Sequence, residues 1–121
     1  MVVKHLKDCD EFTAGDGSIL RELLHPKKAD LQIRYSLAHA KVPAGQTTKP
    51  HRLKMSEVYY IIEGHGLMHV DDESCEVAPE CAIYIPPDST QYIENTGTSD
   101  LKFLCIADPA WRKENEEVLA R

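Results

Sequence analysis

Positive charge is in short supply in this chain. Its 14 Lys and Arg face 20 Asp and Glu, a net charge of −6. Nucleic acid, which needs a basic footprint, is therefore not an expected partner. The same balance gives no general attraction for anionic substrates, so a phosphate site would have to be local. No apolar run is long enough to span a bilayer, and the start lacks the charged-then-apolar pattern of a secretion signal. No membrane partner is expected. The four cysteines, Cys9, Cys75, Cys81 and Cys105, show no CxxC spacing. Cys81 and Cys105 lie in apolar, strand-like runs and read as core thiols, and a cytoplasmic, reducing setting is the simplest one. No internal repeat is visible, so residues 1–121 are expected to form one domain.

Sustained helical periodicity is also scarce. Short β-branched or aromatic runs are separated by Gly, Pro, Asp and Asn instead. Leu31, Ile33, Tyr35 and Leu37 alternate with Gln32, Arg34, Ser36 and Ala38, the period of a half-buried strand. Runs at 58–62, 67–70, 75–77, 81–85, 92–94 and 101–107 continue the series, which predicts an all-β sandwich or barrel. Residues 1–17 read as an arm with turn chemistry at 14–18. Only the end reads as helix, about 109–120, with Asp108 as cap and Pro109 in the first turn. Glu114 to Glu117 would be its solvated face.

The most informative stretch is GQTTKPHRLKMSEVYYIIEG, residues 45–64. Gly45, His51, Glu57 and Gly64 fall in register with the first signature motif of the cupin superfamily, which the chain resembles. Leu53 stands where that motif has its second histidine. A second motif is matched within 80–95 by Pro86 and Asn95. There Glu80 and Asp88 replace two glycines, and Gln91 replaces a histidine. The resemblance implies a single jelly-roll barrel (a double-stranded β-helix). It also implies a homodimer and a divalent metal ion (Zn, Mn, Fe or Ni) held by His51, Glu57 and Gln91.

Strand alternation adds to this reading. If His51 points inward, so does Leu53; Glu57 carries Tyr59 and Ile61 with it, and Gln91 carries Ile93 and Asn95. A pocket with one imidazole, one carboxylate, one carboxamide and one phenol among aliphatic groups has the make-up of a small-molecule site. With a single histidine left, the two-histidine facial triad of oxygen chemistry is incomplete. A non-redox isomerase or lyase on a sugar- or acid-like metabolite is the expected activity, with Glu57 and Tyr59 as catalytic residues. A metal-independent binding or sensing cupin is the alternative. His39 or His69 stands ready to replace a lost ligand, and Arg34 and Arg52 to anchor an anion. Thr47, Thr48 and Lys49 line the approach to His51, and Trp111 staples the C-terminal segment. His5, His25 and His65 read as surface.

Overall fold

Antiparallel pairing organises the chain. A computed structural model describes residues 1–119. Its strands are β1 (Glu11–Thr13), β2 (Ile19–Leu24), β3 (Ser36–Val42), β4 (His51–Leu53), β5 (Ser56–Glu63), β6 (Gly66–Val70), β7 (Glu73–Val77), β8 (Ala82–Ile85), β9 (Gln91–Asn95), β10 (Leu101–Asp108) and β11 (Glu116–Val118). They form a six-stranded sheet in the order β1-β2-β3-β10-β5-β8 and a five-stranded sheet in the order β11-β4-β9-β6-β7. Ile61, Ile85, Leu101 and Phe103 from the first sheet meet Met68, Val77 and Ile93 from the second in one buried cluster. Cys81 and Cys105 pack against it as expected. Two facing antiparallel sheets with almost no helix fit the predicted all-β, jelly-roll class.

The turns explain the glycines of the two motifs and their replacements. Gly45 and Gly64 have φ of +76° and +89°. A Cβ on Gly64 would lie 2.7 Å from the Asp100 carbonyl oxygen. Glu80 and Asp88, where the motif has glycine, keep the same left-handed backbone at φ +75° and +63°. The turn geometry persists although the residue that adopts it most easily is gone.

Three expectations need correction. The segment 31–35 is not strand; β3 begins at Ser36, and its inward side runs through Ser36, Ala40 and Val42 rather than through the odd-numbered apolar set. The Arg34 carbonyl instead accepts the Ala110 N–H at 2.6 Å. The predicted C-terminal helix is absent from the described residues, and residue 120 lies outside them. One 3-10 turn, Lys113–Asn115, leads into β11. Backbone bonds tie the segment's start to the sheet: Ala110 N–H donates to the Arg34 carbonyl and Trp111 N–H to the Ser36 hydroxyl at 2.9 Å. The open edge of β4 then accepts β11, with Val118 opposite His51 and Glu116 opposite Leu53. Trp111 does staple this segment, packing on Leu53, Met55 and Ala107. His25, read as surface, is buried. Its Nδ1 accepts the Lys27 N–H at 3.1 Å and its Nε2–H donates to the Trp111 carbonyl at 2.8 Å.

Candidate functional site

The site is built where β4 and β11 approach β5 and the turn after β1. His51, Glu57, Tyr59 and Gln91 are all buried, as strand alternation required. His51 and Gln91 are register partners on β4 and β9. The His51 Nδ1 lies 2.9 Å from the Lys49 carbonyl oxygen. A carbonyl only accepts, so Nδ1 carries the proton and the neutral ring keeps its lone pair on Nε2. That Nε2 is 3.7 Å from Asp16 Oδ2. The Lys49 N–H donates to the Asp16 main-chain carbonyl at 2.7 Å, so one residue's backbone holds both the His51 ring and the Asp16 turn.

Glu57 is the other polar centre. Its Oε1 is buried without a hydrogen-bond partner. Burial raises its pKa to about 8, the Asp16 charge adds to the rise, and the Gln91 side chain opposes it. At neutral pH the carboxyl therefore holds its proton. Tyr59 donates its hydroxyl proton to Gln91 Oε1 at 3.0 Å. Burial first and Glu57 second push the phenol well above its usual range, so Tyr59 positions Gln91 rather than titrating.

His51, Glu57 and Tyr59 line one cavity of about 40 Å³, together with Asp16 and Glu116. That is room for a few water molecules or a compact ligand. Gln91 sits behind this wall, not in it. Asp16 and Glu116 escape sequence reasoning. Asp16 was legible only as part of a turn, and its Oδ1 does accept the Ser18 N–H and hydroxyl at 2.9 and 2.6 Å. The direction of its other oxygen depends on the packing of β4. Glu116 belongs to the acidic run expected on a solvated helix. On β11 it is half-buried, and burial raises its pKa, with His51 opposing and Asp16 reinforcing the shift.

Other candidates lie elsewhere. His39 faces an outer groove with Arg21, Lys41 and Lys102. His69 Nε2 is 2.7 Å from Glu94 Oε2, and its ring stacks on Tyr92. Neither completes the site. Arg34 pairs with Asp108 and Arg52 with Glu117, and neither lines the cavity. Thr48 is buried and accepts the Ile93 N–H at 2.9 Å, a structural tie between β9 and the segment leading into β4. Among the described residues no group of three or more His, Cys, Asp or Glu gathers to hold an ion. The Gln91 oxygen, expected as a third ligand, accepts the Tyr59 hydroxyl and lies behind the cavity wall.

Residues 38–107, most of the barrel, match the cupin domain. The chain belongs to the cupin family. This cupin is 48% identical over 109 residues to an uncharacterised protein of Methanocaldococcus jannaschii, covering 89% of this chain and 86% of that one. It is 28% identical over 93 residues to the oxalate-binding protein of Thermotoga maritima, covering 76% and 77%. Among solved structures, the polyketide cyclase RemF of Streptomyces resistomycificus superposes with a TM-score of 0.82 at 21% identity, covering 100% of this cupin and 87% of the cyclase.

Proposed function

We propose that this protein is a small acid–base cupin of the isomerase or lyase type, acting on a compact metabolite without help from a metal. One observation carries the reading: the accepting nitrogen of His51 and the unpartnered, protonated carboxyl of Glu57 line the same cavity. A base and an acid held in one site are what proton transfer at carbon requires. In a lyase step, His51 Nε2 takes the proton from a carbon. The C–H electron pair forms the new double bond, the bond to the leaving oxygen breaks, and that oxygen takes the Glu57 proton and departs as water. Solvent then returns the proton from His51 to Glu57. Tyr59 and Gln91 fix the wall behind Glu57. The likeness to a polyketide cyclase supports an enzyme of this fold. The relative named as an oxalate-binding protein supports a second reading, a binding cupin that does no chemistry.

The test uses protein in chelator-containing D₂O, incubated with a panel of small hydroxylated carbonyl compounds and followed by proton NMR. Solvent deuterium uptake or water loss from one member is expected, and it should fall at least about a thousandfold in both His51→Gln and Glu57→Gln while each remains folded. Activity that appears only when divalent metal is restored would contradict the reading. Specific binding without turnover would select the second one.

A further inference from the structure

The charge of the cavity wall identifies the kind of ligand it takes. The lining contains Asp16, Glu57 and Glu116 but no Lys or Arg. Glu22 also lines it but is already paired with Lys28 Nζ at 2.8 Å. An anion entering this space would meet the carboxyls of Asp16 and Glu116 and no Lys or Arg on the wall, at a cost that burial increases. The aromatic content points the same way. Both phenylalanines of the chain, Phe12 and Phe103, its sole tryptophan, Trp111, and Tyr59 line this one cavity. Carboxylates among aromatic faces are the surroundings that a positively charged nitrogen prefers. The protein's own ammonium shows this chemistry nearby: Lys28 Nζ lies over the Phe12 ring at 5.9 Å while pairing with Glu22.

We propose that the ligand of this cavity carries an ammonium group, which pairs with Asp16 Oδ2 and donates to the unpartnered Oε1 of the neutral Glu57 carboxyl. The inference rests on the cavity being the ligand site of the proposed function, and it replaces the acid-like metabolite expected from the sequence. Two observations carry it. Glu57 is 7% exposed, lines the cavity and leaves one oxygen without a partner. Asp16, 5% exposed, has an oxygen 3.7 Å from His51 Nε2, beyond hydrogen-bonding range. An ammonium offers several N–H donors to such dispersed acceptors and does not need the convergent ligand set of a metal. Held there, it would bring the substrate carbon chain against His51.

The experiment is a charge series on one small skeleton: ethanolamine, ethylene glycol and glycolate, titrated into chelator-treated protein while the His51 ring signals are followed by NMR. Ethanolamine should shift those signals saturably and bind at least about tenfold more tightly than either of the others. Asp16→Asn, which keeps Oδ1 for the Ser18 turn, should lose that advantage. Glu116→Gln provides a second variant if the first does not fold. Glycolate or the glycol binding as tightly as ethanolamine would overturn the ammonium inference while leaving the cavity as a ligand site. Undiminished ethanolamine binding in both variants would overturn it too. Silence from all three probes would remove the inference and the ligand site together.

Discussion

Glu57 is where the environment does most to change a side chain's chemistry. A carboxyl with an ordinary pKa of 4.5 is raised to about 8, first by burial and then by Asp16. The folded chain therefore keeps a proton that the unfolded chain releases between those two values. Stability contributed by the neutral carboxyl is complete below 4.5 and is lost as pH rises towards 8, with a slope of up to about 1.4 kcal/mol per pH unit. Glu57→Gln carries no ionisable group, so its thermal midpoint should fall less between pH 5 and pH 8 than that of the parent. Equal slopes in the two proteins would show that Glu57 ionises normally. At this scale the sequence was informative wherever a strand fixed direction. His51, Glu57, Tyr59 and Gln91 all turn inward because alternate residues share a face. Leu53 does so as well, and it packs with Met55, Ala107 and Trp111. Asp16 was not legible, because a turn residue's direction is set by what packs over it.

Strands and turns were read with uneven success. The runs that became β5, β8, β9 and β10 announced themselves by β-branched and aromatic content between breakers. The C-terminal segment misled because capping signals describe a local preference and carry no information about a competing sheet edge. Here β3 and the loop before it tie down Ala110 and Trp111, and the edge of β4 offers residues 116–118 a ladder. The left-handed turns show the reverse case, a geometry kept after its usual residue has changed. Glu80 holds φ +75° with an exposed side chain. Removing that strain should outweigh the added freedom of glycine in the unfolded chain, so Glu80→Gly is expected to gain about 0.5–1 kcal/mol in urea unfolding. Asp88→Gly should gain less, since Asp tolerates this region better. A loss of stability in Glu80→Gly would show that the Glu80 turn is not strained.

The whole molecule was legible as a two-sheet barrel from the spacing of short runs and from the two motifs. Its apolar outer face was not. Tyr60, Ile62, Tyr84 and Ile106 are all exposed on β5, β8 and β10. Val58 joins Tyr84 and Ile106 across the sheet by register. A second copy is the partner that the family resemblance leads us to expect, and this face is where we place it. Sedimentation velocity should give a dimer in the parent and a monomer in a Tyr84→Glu, Ile106→Glu double variant. A monomeric parent, or a dimer indifferent to both changes, would put the interface elsewhere or nowhere.

The central claim is that one cavity of the barrel is lined by a protonated acid and an accepting imidazole. Carbon-13 NMR of the glutamate side-chain carboxyls, followed from pH 4 to 10 in chelator, tests it most directly. The account predicts one resonance, absent from Glu57→Gln, that titrates at about 8. Every glutamate titrating in the usual carboxylate range would contradict it, because an ionised Glu57 has no proton to give.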